Sequence, residues 1–320
     1  MTTAIMSEPK RWWPHVKRIA TATFFVLVAV LLYSQARHIE WSEVGTALRA
    51  YPITTLLAAG ALAALSHAIY SGFDLFGRRW TGHGLPARQV VPLTFVCYAF
   101  NLNLGSLIGG YAMRYRLYSR LGLNTETTTR VLGMSMLTNW LGYLALAGTI
   151  LATGVITPPA GWKLGELALQ GLGVLMLIAA AAYLAACALS PKRSVSLRGH
   201  ELTLPSGRFA LLQMSVSALN WSVIGSVVYV LLQGRVDYPT VLGVLLMAAV
   251  AGVVTHVPAG LGVLEAVFIA LLGSQVPRHE LLGALLAYRV LYYLVPLAIA
   301  TAIYLTLEAR ARTSAHPAGA

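Results

Sequence analysis

The sequence predicts an all-α, polytopic membrane helical bundle with two re-entrant or broken helical hairpins in an inverted-repeat arrangement. Three observations lead there. Of 320 residues, 57% are hydrophobic and only 11% are charged, with a mean hydropathy of +0.69, whereas a soluble domain carries about 25% charged residues. Several apolar windows reach the roughly 20 residues that span about 30 Å of hydrocarbon, and none alternates as a barrel strand would. Finally, Ala248–Leu272 is apolar enough for a bilayer, yet its middle carries Thr255, His256, Pro258, Gly260, Gly262 and Glu265.

Taken in order, Lys10, Arg11, Lys17 and Arg18 precede an apolar run over Ile19–Ser34, a first span retained behind a cytoplasmic N-terminus. Arg37–Tyr51 spaces Trp41, Val44, Leu48 and Tyr51 as an amphipathic surface helix. Span two covers Ile53–Phe76 and ends at Arg78 and Arg79; Asp74 and Arg78, four apart, suit a helix-end ion pair better than a proton site.

Val90–Tyr111 is apolar at first and then mixes Asn101 and Asn103 with Gly105, Gly109 and Gly110. Arg78, Arg79 and Arg88 precede it, and Arg114, Arg116 and Arg120 follow. Basic residues on both sides predict a segment that enters and leaves on the cytoplasmic side, turning near Asn101–Gly105, with one ordinary span as the alternative. Further spans cover Val131–Val155, Leu167–Leu189 and Phe209–Leu232. Between the last two, Pro191–Pro205 alternates around Gly199 as a small β-hairpin in a cytoplasmic linker.

The stretch from Val241 to Leu272 should break at Pro258–Gly262, because proline removes a donor and glycine loosens a helix. Broken backbone at membrane depth is tolerated only inside protein or beside a wet cavity, so Glu265 is either a functional group or part of a packed kink. Leu281–Thr306 forms the last span, with Arg289, Tyr292 and Tyr293 inside it.

Of 23 lysines and arginines, only Arg37, Arg49, Lys163, Arg235 and Arg278 map outside, and Arg289 maps within the membrane. The net charge of +12 therefore reflects topology and attraction to an anionic leaflet, and no nucleic-acid partner is expected. Both termini are expected in the cytoplasm. The chain reads as one membrane domain, 1–320, with halves at about 1–189 and 208–320 joined by the linker 190–207. Span two, the hairpin and the span Val131–Val155 oppose the span Phe209–Leu232, the broken stretch and the last span, the inverted-repeat plan of many transporters.

Several stretches resemble a known family. They are Cys97–Gly105, Gly110–Leu123, Thr138-Asn-Trp-Leu-Gly-Tyr143, His256–Leu272 and Ala287–Pro296. They are similar to the bacterial inner-membrane YbhN-like proteins and to the transmembrane region of lysylphosphatidylglycerol synthases. The resemblance implies a multi-pass inner-membrane protein. In the multiple peptide resistance factors of that superfamily this region is implicated in translocating aminoacyl-phospholipids. The expectation here is a phospholipid translocator without the synthase domain. A non-transporting partner or regulator of a phospholipid-modifying enzyme is the alternative. No residue role is carried over from the family.

The residues themselves supply candidates for lipid binding: Asn101, Asn103, Arg114, Arg116, Arg120, His256, Glu265, Arg289 and Tyr292. Arg116 and Arg120 share a helical face and suit a phosphate through their guanidinium forks, or else they are topological anchors. Asn101 and Asn103 either meet a headgroup or cap freed carbonyls. His67 and Asn220 are expected to hydrogen-bond between helices. Glu265 and Arg289 are the most deeply placed acid and base, and they are expected to lie close together. They would either line a lipid cavity or form a static pair. No catalytic motif is present, and Gly105–Gly110 lacks the Lys-Ser/Thr of a phosphate loop. No metal or cofactor is expected, and Cys97 and Cys187 read as packing residues. Expected partners are phospholipid and the membrane itself, with self-association or a lipid enzyme left open.

Overall fold

The computed structural model describes residues 30, 46, 48–158, 165–190, 194–197, 200–255 and 257–315. The chain divides into two compact units, Met1–Ser42 and Glu43–Ala320, and the second holds the helical bundle. The expected first span (Val30 apart), most of the 37–51 stretch, Gly199 and His256 lie outside the described residues.

The described chain is helical apart from one two-stranded ribbon, and six of its helical rods are long and apolar enough to cross a membrane. Helix α1 (Ile53–Ser71) continues through Gly72 into α2 (Phe73–Thr81). Helix α3 (Ala87–Leu104), a π-helical turn (Ser106–Ala112) and α4 (Met113–Arg120) come next. Helices α5 (Thr125–Ala152) and α6 (Glu166–Leu189) lead to the ribbon, β1 (Ser194–Leu197) against β2 (His200–Thr203). The ribbon is antiparallel, with Ser194 opposite Thr203 and Leu197 opposite His200, as the alternation around Gly199 predicts. Helix α7 (Gly207–Leu231) precedes α8 (Tyr238–Thr255), a 3₁₀ turn (Pro258–Gly260) and α9 (Val263–Leu272). Helix α10 (Arg278–Tyr288), a second π-helical turn (Arg289–Leu294) and α11 (Val295–Ala315) complete it.

Local chemistry sets several of these boundaries. Asn124 caps α5 by accepting from the Thr127 amide at 2.8 Å, and Ser206 caps α7 by accepting from Phe209 at 3.3 Å. Gly82, at φ 68°, ends α2 in the left-handed conformation. The second π turn runs up to Pro296, whose ring would clash with the carbonyl four residues back in a regular helix; one wider turn relieves that contact.

Helix α7 is the centre of the bundle, with α1 and α5 packed on it and α6 packed on α5. Without a hydrophobic drive between helices in lipid, close packing of small residues takes its place. A Cβ on Gly142 of α5 would sit 2.3 Å from the Ala218 amide of α7, and one on Gly173 of α6 would sit 2.4 Å from that of Ala152. Polar groups add crossings: Gln213 of α7 donates to Thr138 at 2.6 Å, and Trp221 donates to the Asn139 carbonyl at 3.3 Å. Val227, Val241, Leu246, Phe268, Leu272 and Leu285 fill the core among α7 to α10.

One expectation fails. Asp74 does not pair with Arg78, although the two are four apart. Asp74 lies fully buried and receives Arg114 from the returning α4, while Arg78 Nε donates to the Leu85 carbonyl at 2.6 Å across the α2–α3 connection. Helical spacing brings Arg78 within reach, but burial leaves the carboxylate facing a different partner.

Candidate functional site

The first break comes at the end of α3. Gly105 adopts φ 84° and ψ 168°, a conformation that suits glycine, and its amide closes the helix on the Asn101 carbonyl at 3.0 Å. The π turn then folds back on α3 so tightly that a Cβ on Gly109 would lie 2.0 Å from the Asn101 nitrogen. Asn101 is half-buried, with its side-chain oxygen against Gly110. Asn103 is buried and donates to the carbonyls of Ala99 at 2.8 Å and Tyr293 at 3.2 Å. The first of these carbonyls lies four residues back in α3, and Tyr293 belongs to the second π turn.

The second break lies between α8 and α9. Ala259, Gly260 and Gly262 have φ of 56°, 58° and 78°; for Ala259 this left-handed geometry costs about 1–2 kcal/mol. Glu265, three residues into α9, accepts from the Gly262 amide at 3.0 Å. Arg289 opens the π turn after α10, roughly 16 Å along the helix from Arg278 at 1.5 Å per residue. Its Nε and Nη2 donate to Glu265 at 2.6 and 2.9 Å, a bidentate pair. Its Nη1 and Nη2 also donate to the carbonyls of Ala259 and Gly260, at 3.0 and 3.1 Å. The guanidinium lies 5.8 Å from the Tyr293 ring centre. One side chain thus neutralises the acid and satisfies two carbonyls that the break leaves without helical donors. The expected proximity of Glu265 and Arg289 holds.

The breaks come together, because α3 packs against both the 258–260 turn and the second π turn, where Asn103 reaches the Tyr293 carbonyl. The ion pair keeps some exposure, 11% for Arg289 and 21% for Glu265, and Val257 and Leu261 beside it are exposed. Behind it runs a buried polar chain. Tyr292 lies 2.9 Å from the Tyr98 hydroxyl and 2.8 Å from that of Ser66, which donates to Asn220 at 2.8 Å. Asn220 thus makes the interhelical bond expected of it, whereas His67 bonds the Ala63 carbonyl of its own helix at 3.0 Å. Tyr292 is buried inside this chain.

The remaining arginine candidates form a separate cluster around α4. Arg114 is 3% exposed, and it donates through Nε and Nη2 to Asp74 at 3.1 and 3.2 Å and through Nη1 to the Gly110 carbonyl at 3.3 Å. Tyr118 donates to the same carboxylate at 2.9 Å. Arg116 and Arg120 do share a face, and it meets α11. Arg120 pairs with Glu308, Arg116 Nη2 comes within 3.5 Å of that carboxylate, and Arg116 Nε donates to Tyr304 at 3.0 Å. The hydrogen bond to Glu308 holds the Arg120 guanidinium above its usual range. Sequence reasoning missed Asp74 as the partner of Arg114, Glu308 as that of Arg116 and Arg120, and the links through Ser66 and Tyr98. None of these shares a helical period with its partner. Among the described residues no group of three His, Cys, Asp or Glu side chains could hold a metal.

Residues 19–300 match the family described as the lysylphosphatidylglycerol synthase TM region. The chain is 47% identical to the inner membrane protein YbhN of Escherichia coli, over 96% of this chain and 97% of that one. It is 31% identical to a Synechocystis protein over 90% and 92% of the two chains. It is 25% identical to a phosphatidylglycerol lysyltransferase of Staphylococcus haemolyticus, over 89% of this chain and 33% of the longer enzyme. The protein is therefore a membrane protein of the lysylphosphatidylglycerol synthase TM-region family.

Proposed function

We propose that the protein binds phospholipid and moves it between the leaflets of a bacterial inner membrane, with both termini in the cytoplasm. In this reading α3 with its π turn, and α8 with α9, are re-entrant hairpins of an inverted repeat whose tips meet near the midplane. The observation that carries it is the Arg289 clamp: a charged, partly exposed guanidinium bound to Glu265 and to the carbonyls of a broken helix. Those two carbonyls are neutral acceptors, and a lipid phosphate offers the same fork a stronger, charged one. Glu265 keeps the site neutral while empty, and protonation or a cation would compensate it once a phosphate arrives. With no nucleotide-binding loop in the sequence, movement is passive or ion-coupled. The name of the Staphylococcus relative, a phosphatidylglycerol lysyltransferase, supports an anionic or aminoacylated lipid.

A second reading has its own observation. The four hydrogen bonds that Arg289 donates to Glu265, Ala259 and Gly260 all stay within the protein, as suits a strut in a non-transporting partner of a lipid enzyme. Reconstituted lipid flipping against a panel of headgroups separates the two. Glu265→Gln or Arg289→Gln alone should strand a charge at roughly 3–5 kcal/mol, and the double variant should be milder. Translocation through the clamp predicts flipping by the wild type and a stable, inactive double variant; a stable double variant that still flips would make the pair a strut within a translocator, and a wild type that flips no lipid would leave the non-transporting reading.

The re-entrant geometry has a separate test. In a Cys97→Ser, Cys187→Ser background, Arg88→Cys and Asn124→Cys should both label from the cytoplasm alone. Labelling from opposite sides would remove the hairpin and the repeat with it.

A further inference from the structure

A second cleft lies apart from the breaks, between the α1–α2 rod and the start of α7. Its volume is about 720 Å³, within the range of sites that enclose small ligands. Ile69 and Phe76 form one wall, and Leu212 and Val216 form the other. At one end stand Arg79, from the last turn of α2, and Arg208, from the first turn of α7. Arg208, Leu212 and Val216 are four apart in turn and so lie along one stripe of α7. The stripe rises roughly 12 Å from the charge to the innermost apolar residue.

The cleft is therefore cationic at one end and hydrocarbon-like along its length. Both arginines are exposed, and no hydrogen bond or ion pair among the described residues holds either one. Arg78, their neighbour, is already engaged with Leu85. Trp80 borders the cleft beside them, a residue type enriched at the level of lipid headgroups. The positive end of the α7 dipole lies at the same end, where Ser206 caps the helix. A peptide would leave its backbone polar groups against the Ile69–Val216 walls without partners. A detached phosphate would leave those walls empty. An acyl chain with a phosphate at its head meets both halves at once.

We infer that this cleft is a resident site for an anionic phospholipid, the phosphate held between Arg79 and Arg208 and one acyl chain lying along Phe76, Leu212 and Val216. Two guanidinium groups favour a headgroup with net negative charge, because the ammonium of a zwitterionic lipid would be forced beside like charge. The site is independent of whether lipid crosses at the Arg289 clamp, and occupancy here anchors the α1–α2 rod to α7 through lipid.

Native mass spectrometry of the full chain in detergent, titrated with phosphatidylglycerol, phosphatidylcholine or inorganic phosphate, tests this. Phosphatidylglycerol should bind more tightly than phosphatidylcholine, and inorganic phosphate should not displace it. Arg79→Gln with Arg208→Gln should weaken phosphatidylglycerol binding at least about tenfold, as expected for two basic groups at an anionic lipid. Leu212→Trp should weaken it comparably by filling the apolar half, with both arginines intact. Measured in the Glu265→Gln, Arg289→Gln background, which removes the clamp as a lipid site, the loss on substituting Arg79 and Arg208 reports this cleft alone, so that failure of transport and failure of this site are told apart. Wild-type affinity in both cleft variants, or displacement by inorganic phosphate, would overturn the proposal. All substituted cleft residues are exposed, so an unchanged thermal midpoint is expected and checks folding.

Discussion

Asp74→Ala is expected to destabilise the protein by roughly 3–5 kcal/mol, the cost of stranding a buried charge. Asp74 is fully buried and Arg114 is 3% exposed. The carboxylate receives two guanidinium bonds and the Tyr118 hydroxyl. Without it the cation keeps just neutral partners, the Gly110 carbonyl and the Tyr70 hydroxyl, and the Tyr118 phenol loses its acceptor. Because the pair ties α2 to α4, the return arm of the first broken element should loosen as well. Denaturant unfolding in micelles measures the loss. Asp74→Leu combined with Arg114→Met should recover most of it, since replacing both charges by apolar groups removes the desolvation penalty. A single variant within about 1 kcal/mol of wild type would show that the interaction behaves as an exposed ion pair.

Gly109→Ala is the other substitution with a large expected effect. Its Cβ would lie 2.0 Å from the Asn101 nitrogen and 2.2 Å from the Phe100 carbonyl carbon. Both are backbone atoms, so no rotamer change can relieve the contact. Overpacking usually costs about 1–3 kcal/mol, and a clash with fixed backbone belongs at or above the top of that range. The π turn should lift from α3, and a Leu107→Cys reporter at its tip should change its labelling rate. Gly133→Ala is the control: nothing lies within 4 Å of its Cβ. It sits within α5, so it should be neutral or slightly stabilising.

What the sequence made legible tracks the range of the interactions. Both breaks were visible because glycine, proline and amides in an apolar run act locally: the turn expected at Asn101–Gly105 falls at Gly105, and that expected at Pro258–Gly262 falls at residues 258–262. The Glu265–Arg289 pair was legible because two charges deep in apolar helices have few other partners. Asp74 misled because the spacing to Arg78 is a helical one, while its true partner lies 40 residues away on a returning arm. Arg116 and Arg120 were correctly placed on one face, but their partner Glu308 is 188 residues on from Arg120, two residues past the expected end of the last span. The cleft at Arg79 and Arg208 left no local mark, since each arginine looks like an ordinary cytoplasmic anchor until α2 and α7 are set side by side.

The Arg289 clamp also fixes an order of assembly. Glu265 and the carbonyls of Ala259 and Gly260 leave the ribosome before the side chain that binds them, which emerges 24 residues after the acid. An acid at the centre of an inserting helix, measured for Asp, costs about 2.5–3.5 kcal/mol. Helix α9, with 10 residues, is too short to cross the hydrocarbon by itself. The second broken element is therefore expected to settle only once α10 brings its counter-charge. A nascent chain arrested so that Leu272 but not Arg289 has left the ribosome tunnel is expected to hold this element in an extractable state, and emergence of Arg289 is expected to lock it.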